Sequence, residues 1–214
     1  METDRIDPAE IDFFERIQSL ISAEAVRVPH HISSICGVDA AYSSKGNRVV
    51  AAATLFVDGR LEKTSVYSGR FTFPYVSGLF YLHEGPFTVA AIRKLGSIPQ
   101  LVCFDAHGLA HPRFKGLATV CGMLLGVPSI GIAKRGLVGK VSPHRSGLRK
   151  MVYNGRCVGY VTSDAKKRYW SPGYSVSTAV LERVISKHGA VCLSALEEAH
   201  RLATKSILHL DWRR

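Results

Sequence analysis

Cysteine is scarce in this sequence, and its positions form no recognisable site. The five cysteines show no CxxC spacing and their number is odd: they are Cys36, Cys103, Cys121, Cys157 and Cys192. A structural zinc site or a disulfide framework needs clustered or paired cysteines, so the pattern argues against both. We therefore expect a protein of a reducing cytosol.

Long apolar runs are also missing. No stretch reaches the roughly 20 residues that a membrane-spanning helix needs. The opening segment METDRIDPAEIDFFE is acidic and polar, whereas a secretory signal starts basic and continues apolar. No linker, internal repeat or low-complexity segment divides the chain. We predict one domain over residues 1–214, cytoplasmic and without a membrane partner.

Acidic residues are outnumbered. The chain has 17 Asp and Glu against 28 Lys and Arg, a net charge of +11, which indicates a polyanionic partner. Basic residues alternate with aromatic ones in the second half, a composition that suits a nucleic-acid backbone and its bases. A proteome that is basic throughout would give the same excess, and this alternative stays open. The residues concerned are Lys134, Arg135, Lys140, His144, Arg145, Arg149, Lys150, Arg156, Lys166, Lys167, Arg168, Tyr169 and Trp170.

The first half of the sequence has the pattern of an antiparallel meander. Residues 35–43 alternate between apolar and small or polar side chains, and 48–57 form a fuller apolar run. Asp58 and Gly59 then supply a two-residue hairpin turn into a third strand, 60–68. We predict three antiparallel strands.

Helices and strands alternate in the second half. Pro86 suits a first helical residue and Gly96 a helix end, and apolar spacing predicts another helix that stops at Gly126. The fold class is therefore α/β. The order resembles an RNase H-like mixed sheet, a three-strand antiparallel meander plus parallel strands, flanked by helices. The predicted segments are helix 86–95, strand 100–105, helix 117–125, strand 129–133, a β-like region 137–163, and helices 178–188 and 194–207.

Asp39 is an unusual residue for an apolar strand. A buried carboxylate costs several kcal/mol unless its charge is compensated. Its neighbours on the same face, Gly37 and Ala41, are small, which leaves room for an ion and a phosphate. A hydrogen bond to a loop backbone would explain Asp39 equally well.

Asp105 makes a metal site the better explanation. The segment 101–104 is apolar throughout, as in a strand buried on both faces, and ligands bind beyond the carboxyl ends of parallel strands. If the strands carrying Asp39 and Asp105 are neighbours, their carboxylates repel unless a divalent cation lies between them. We expect Mg²⁺-assisted phosphodiester hydrolysis.

Glu84 is the third acidic candidate. It precedes the predicted Pro86 helix, where a simpler role is that of an N-terminal acid favoured by the helix dipole. A set of Asp and Glu oxygens without cysteine suits Mg²⁺ or Mn²⁺ rather than Zn²⁺.

Four ordered motifs resemble those of endonuclease V, a deoxyinosine-specific nuclease family of the RNase H-like superfamily. They are GVDAAY, FPYVSGLFYLHEGP, FDAHGLAHPR and GIAKRGLVGK, within about residues 30–180. The resemblance implies that Asp39 and Asp105 bind catalytic Mg²⁺ and that Glu84 completes the acidic cluster. It places Lys134 near the scissile phosphate. It also implies DNA repair by hydrolysis of the second phosphodiester bond 3′ to the deaminated base.

The resemblance also assigns the lesion-binding residues. Pro74 and Tyr75 match a wedge whose tyrosine inserts where the lesion base leaves the stack; the wedge's second proline is Ser77 here. An aromatic face can fill that gap and offset part of the cost of flipping. The remaining matches are Gly78 and Gly108 for the base pocket, and the DNA-facing loop of His111, Pro112 and Arg113. For Tyr75, the two glycines, Lys134 and His111, ordinary core, turn or surface roles are the alternatives. His107 stays uncertain.

Tyr174 departs from the family pattern. Many relatives carry a histidine at this place, in a segment reading GHR, where this chain has SPGYS. A phenol with an ordinary pKa near 10 cannot replace histidine in proton transfer at neutral pH. We expect Tyr174 to pack or donate a hydrogen bond near the site, and no more.

Three other functions remain open. An inosine-specific endoribonuclease would share the fold, and the sequence does not rank DNA against RNA. An actin-like phosphotransferase also places aspartates on a strand meander but needs glycine-rich phosphate loops, which Asp58 and Gly59 do not supply. A non-catalytic inosine-binding module would not need three carboxylates on a basic surface. We expect a monomer.

Overall fold

The computed structural model describes residues 6–21, 28–43, 46–143, 147–162 and 167–212, and Trp212 only by its backbone. Three of the basic residues singled out above, His144, Arg145 and Lys166, lie outside these ranges. Nine strands form one sheet in the order β3-β2-β1-β4-β5-β9-β8-β7-β6. The strands are β1 Ser34–Tyr42, β2 Arg48–Val57, β3 Arg60–Arg70, β4 Leu101–Phe104, β5 Ser129–Ala133, β6 Lys140–Pro143, β7 Arg149–Tyr153, β8 Arg156–Thr162 and β9 Arg168–Pro172.

The described part of the chain contains four helices. They are α1 Pro8–Leu20, α2 Phe80–Lys94, α3 Leu117–Leu125 and α4 Thr178–Trp212. One apolar cluster lies between the sheet and α2 and α3, and a second lies between the sheet and α4. The sheet is therefore sandwiched between helices. No helix within the described ranges combines the length and apolar character needed to cross a membrane.

The predicted meander is confirmed. β1 pairs antiparallel with β2, and β2 with β3. Asp58 and Gly59 both have positive φ, 48° and 79°, as the predicted two-residue hairpin turn requires.

The switch to parallel strands occurs at β4. This strand is fully buried and pairs parallel with β1 on one side and with β5 on the other. The mixed sheet of the predicted RNase H-like order is thus present. β9, β8, β7 and β6 extend it by antiparallel pairing.

The predicted start of α2 was wrong. The helix begins at Phe80, so Pro86 lies in its interior and Glu84 lies within the helix rather than before it. A proline there removes one backbone hydrogen bond. The earlier turns persist because they bury His83 and Glu84 against the sheet. The predicted end is confirmed: Gly96 follows with φ of 67°.

The prediction of two C-terminal helices was also wrong, because α4 is one helix of 35 residues. Gly189 suggested a break, but an interior glycine costs only about 1 kcal/mol. Burial of one face against the sheet, including Leu181, Cys192 and Ala203, offsets that cost. α1 was not predicted, because the opening segment of the sequence is polar. This helix starts with Asp7 as a side-chain cap and Pro8 in its first turn.

Gly37 sets how closely α4 approaches the sheet. A Cβ atom at this position would overlap the backbone of Ala195 and Leu196. Thr54, the partner of Gly37 on β2, donates its hydroxyl to the carbonyl oxygen of Ala195 at 2.8 Å. Helix and strand therefore pack backbone to backbone at this crossing.

We predict opposite effects on stability for two Gly→Ala substitutions. Gly37→Ala should destabilise the protein by about 1–3 kcal/mol or more, because α4 must move away. Gly189→Ala should stabilise it by about 1 kcal/mol, since a Cβ there would lie 3.8 Å from the Trp170 ring in ordinary contact. Denaturant unfolding measures both. Equal effects of the two substitutions would contradict close packing at Gly37.

Candidate active site

Asp39 and Asp105 lie side by side at the carboxyl edge of the parallel strands. Val38 pairs with Phe104 in the β1–β4 register, so the next residue of each chain is an aspartate. The backbone N–H of Asp105 donates to the carbonyl oxygen of Val38 at 3.4 Å, which continues the pairing. The adjacency inferred from the sequence is therefore present.

Asp39 is compensated by a histidine from α4. His200 Nδ1 lies 2.6 Å from Asp39 Oδ2, and the aspartate is only 7% exposed. The expectation that Gly37 leaves room for an ion was wrong, because α4 fills that space. The close crossing at Gly37 and Ala195 instead brings His200, five residues further along α4, to Asp39.

Asp105 is compensated by the lysine that follows β5. Lys134 Nζ lies 2.6 Å from Asp105 Oδ2. Since β4 and β5 are parallel neighbours, the residues that follow each strand meet at the same edge. Lys134 is more than half exposed, so its ammonium group can exchange this partner for another anion.

Glu84 joins the acidic group from α2. Tyr42, the last residue of β1, donates its hydroxyl to Glu84 Oε2 at 2.6 Å. Burial, assisted by the charges of Asp39 and Asp105, raises the pKa of Glu84 to about 8, although the Tyr42 bond acts in the opposite direction. Glu84 is therefore protonated in the folded protein over most of the physiological pH range.

The carboxylates form a site of concentrated negative charge. Burial first, and then the charge of Asp105, raises the pKa of Asp39, while the His200 hydrogen bond lowers it. In the described part of the chain, no three His, Cys, Asp or Glu side chains converge as a metal-binding group. Two neighbouring aspartates still fit Mg²⁺, which commonly binds through one or two carboxylates and completes its shell with water and substrate phosphate.

A cavity of about 480 Å³ opens beside Asp105 and Lys134, on the face of the sheet that α2 and α3 cover. Its walls are largely apolar or aromatic. They include Tyr75, Gly78, Phe80, Tyr81, Ala106, His107, His111, Gly116, Leu117, Ala133 and Leu137. The volume is ample for a purine base, and Asp105 lies in its wall.

Tyr75 is an exposed aromatic residue at this cavity. It is 67% exposed in the loop between β3 and α2, directly after Pro74. Its ring makes edge contacts with Phe80 and His83, with centroids 5.8 Å and 6.3 Å away. The alternative of a core tyrosine is therefore wrong, and one ring face is available to a ligand.

Gly78 lines the cavity, as the resemblance implied. Its φ is 85°, a conformation that favours glycine, and its carbonyl oxygen accepts from Arg113 at 2.7 Å and Gln18 at 3.2 Å. Arg113 also forms an ion pair with Glu15 of α1. The Arg113 side chain therefore faces α1, and the match of this loop to a DNA-facing loop stays a prediction.

The two histidines of the loop after β4 both line the cavity. His111 is 5% exposed and Arg113 donates its backbone N–H to His111 Nδ1 at 3.2 Å. Burial and the Arg113 charge lower the pKa of His111 to about 4. His107 Nε2 lies 3.0 Å from the carbonyl oxygen of Arg135, and burial lowers the pKa of His107 as well. Both rings are neutral at pH 7.

Gly108 is not among the residues that form the cavity wall. A Cβ there would overlap the carbonyl group of Pro172, and the Gly108 N–H donates to the Ser171 hydroxyl at 2.8 Å. Its small size therefore lets the loop after β4 contact the end of β9. Gly116, which the sequence did not single out, lines the cavity where a Cβ would overlap the carbonyl of His107.

Tyr174 lies away from the acidic residues. Its backbone N–H donates to the Ser129 hydroxyl at 2.8 Å, and its side chain is buried against α3 beside Gly122. Ser129 is the first residue of β5, whereas Lys134 follows the last, about 16 Å further along the strand. The expected packing role fits this placement, but a position near the site does not.

His200 and Tyr42 were missed from the sequence. His200 continues the buried stripe of Cys192 and Leu196 at a spacing of four residues, and a polar residue on such a stripe is a signal that was available. Tyr42 was taken only as an apolar strand residue. Its contact with Glu84 depends on α2 beginning before Pro86.

We predict a pH-dependent effect of Glu84→Gln on the stability of the metal-free protein. The folded-state pKa of Glu84 is raised from 4.5 to about 8, so wild-type stability falls as pH rises through that window. Glutamine carries no such charge, and the variant should gain stability relative to wild type between pH 4.5 and 8. Thermal melts with chelator should show a rising difference in Tm, about 2–4 °C for each kcal/mol. Glu62→Gln, an exposed position on β3, is the control, and parallel behaviour of the two variants would contradict the burial argument.

Comparison with known proteins agrees with this geometry. The family model for endonuclease V matches residues 15–192. An endonuclease V of Saccharolobus islandicus is 35% identical over 170 residues, which cover 78% of this chain and 82% of that protein. The crystal structure of endonuclease V from Streptomyces avermitilis has a TM-score of 0.81 and 25% identity, over 96% and 95% of the two chains.

A third match shares the fold at lower identity. Endonuclease V of Ciona intestinalis, crystallised with DNA containing an inosine followed by a ribo-adenosine, has a TM-score of 0.79 and 16% identity, over 96% of this chain and all of that one. The extent of the family match and the identity to a curated relative together establish that this chain belongs to the endonuclease V family.

Proposed function

We propose that this protein is a Mg²⁺-dependent endonuclease that recognises deoxyinosine in DNA and hydrolyses the second phosphodiester bond 3′ to it. The observation that carries the proposal is that Asp105, the neighbour of Asp39, lines a cavity that also contains an exposed aromatic residue. A base enters the cavity and the backbone phosphate lies over the carboxylates. DNA repair is the process that such a cut would serve.

Asp39 and Asp105 would hold the metal. When bound, it would supply Lewis-acid polarisation of the phosphate and activation of water. Mn²⁺, which shares the preference for oxygen ligands, should substitute. Glu84 lies beside this site, where burial raises its pKa, and Tyr42 fixes the orientation of its carboxyl group.

Lys134 and His200 act on charge and orientation. Lys134 pairs with Asp105 in the free protein, and its ammonium group would offset negative charge on the scissile phosphate. His200 uses Nδ1 to contact Asp39, which fixes the imidazole ring. The Lys134 ammonium group and the His200 hydrogen bond reduce the repulsion between the two aspartates in the free protein.

Tyr75 would fill the gap that the flipped base leaves. Its exposed ring lies at the mouth of the cavity, and base–aromatic stacking contributes about 1–3 kcal/mol. The base would pack against the part of the cavity wall formed by Gly78, Ala106 and Leu117. The Ciona relative was crystallised with an inosine-containing strand that includes a ribonucleotide, which makes inosine in RNA the substrate to compare.

We expect Asp39→Asn and Asp105→Asn each to abolish nicking, while binding to inosine-containing DNA survives at least in part. Each substitution removes a negative oxygen ligand that the metal requires. Tyr174→Phe, which leaves the site intact, is the control and should lower the single-turnover rate by less than about tenfold, or 1.4 kcal/mol of barrier. Near-normal cleavage by either Asn variant would refute the two-aspartate site. Mg²⁺ or Mn²⁺ should support activity, and Ca²⁺ should allow binding with little turnover.

Tyr75→Ala should weaken the discrimination between inosine-containing and undamaged duplex more than it weakens binding to DNA in general. The expected loss is about 1–3 kcal/mol, the contribution of stacking. Tyr67→Ala removes another exposed tyrosine, on β3, and serves as the control. Equilibrium binding to both duplexes in Ca²⁺ provides the measurement, and an unchanged preference for inosine would exclude Tyr75 from recognition.

A further inference from the structure

Two cationic side chains, Lys134 and Arg168, occupy opposite positions on neighbouring strands beside the acidic residues. β5 and β9 are antiparallel, with Ala133 opposite Tyr169, so the next pair outward is Lys134 and Arg168. The Cβ atoms of such directly opposed residues are about 5 Å apart, and like charges at that distance destabilise a sheet. An anion near both side chains would remove this cost.

The carboxylate of Asp105 is such an anion, but it pairs with Lys134 and not with Arg168. The guanidinium group of Arg168 donates to the carbonyl oxygen of Lys167 at 3.2 Å and forms no ion pair within the described ranges. Glu197 of α4, a carboxylate on the same side of the sheet, has an interaction of its own. Arg168 therefore keeps donor capacity for a ligand.

A second cavity, of about 240 Å³, lies at these residues on the α4 face of the sheet. Arg168, Lys134 and His200 supply its basic groups, and Asp105 and Glu197 its acidic ones. His200 contacts Asp39 through Nδ1, so Nε2 is the ring nitrogen left for a ligand. Ile132, Leu193 and Leu196 complete the wall.

The two cavities meet at the active site. Both are lined by Asp105 and Lys134, the first on the α2 and α3 face and the second on the α4 face. A strand whose inosine base occupies the first cavity must pass over Asp105 to be cut. Because the cut lies 3′ to the base, the part of the strand that reaches the second cavity is the part 3′ to the lesion.

We propose that Arg168, with Lys134 and His200, forms a subsite for the backbone phosphates on the 3′ side of the scissile bond. This assignment rests on the proposed function, since it takes the strand direction from the position of the cut. It gives the basic run before β9 a role in substrate affinity. Arg168 is a binding residue here, and it takes no part in bond cleavage.

The test compares Arg168→Gln with Arg60→Gln, which removes the same charge from an exposed position beside the β2–β3 turn. Inosine-containing strands are used that differ only in the number of nucleotides beyond the cut. On the long 3′ extension, Arg168→Gln should raise KM about tenfold with kcat nearly unchanged. On the minimal extension its KM should match that of Arg60→Gln. An equal rise on both extensions, or a loss in kcat alone, would overturn the subsite.

Salt dependence provides a second readout that does not require cleavage. Binding of an undamaged single strand in Ca²⁺ should lose about one unit of slope in log K against log salt on Arg168→Gln, and Arg168→Lys should restore most of it. One lost phosphate contact corresponds to an affinity ratio that changes about threefold between 50 and 200 mM salt. A slope equal to wild type would overturn the proposal. If wild type binds strands with this slope but cuts none of them, the proposed function fails while the phosphate contact stands.

Discussion

The repulsion between two neighbouring carboxylates is the constraint around which the site is built. Parallel pairing of β1 and β4 sets Asp39 beside Asp105 at the carboxyl edge of the sheet, where Asp39 is almost fully buried. Each carboxylate has a partner from a different element, His200 of α4 and Lys134 after β5. Removing a partner from a buried charge costs several kcal/mol, so these contacts also fix where α4 and the β5 loop lie.

The same edge of the sheet separates two cavities that differ in their lining. The cavity on the α2 and α3 face is apolar and aromatic, which suits a base, whereas the cavity on the α4 face carries Arg168 and His200, which suit phosphate. A nucleic-acid strand has both chemistries in every nucleotide. In the proposed complex, the base would therefore lie on one face of the sheet and the backbone 3′ to the cut on the other.

The sequence predicted the sheet better than it predicted the helices. β2, α3 and β5 were located to the residue because apolar periodicity and turn glycines mark them. The condition on which the metal site depended, that the strands carrying Asp39 and Asp105 are neighbours, is met in the structure. Helix ends failed where tertiary burial overrides local signals. α2 begins before Pro86 because its first turns bury Glu84. α4 continues through Gly189 because it packs along the sheet.

Contacts between distant segments could not be predicted either, because they too depend on tertiary packing rather than on local sequence signals. Nothing local to Gly37 indicates that α4 crosses there, and so the glycine was taken as room for a ligand rather than as the docking point that delivers His200. The ion pair between the Arg113 guanidinium group and Glu15 of α1 was likewise not predicted. Both contacts join segments that lie more than 90 positions apart in the chain.

Cleavage of matched strands tests the central claim most directly. One strand carries a single deoxyinosine, one a single inosine in RNA, and one is undamaged DNA, each incubated with Mg²⁺ or with chelator. The account predicts a nick in the deoxyinosine strand at the second bond 3′ to the lesion, only with Mg²⁺, and no comparable cut in undamaged DNA. Equal cutting of undamaged DNA, cutting in chelator, or cutting of the RNA alone would contradict it.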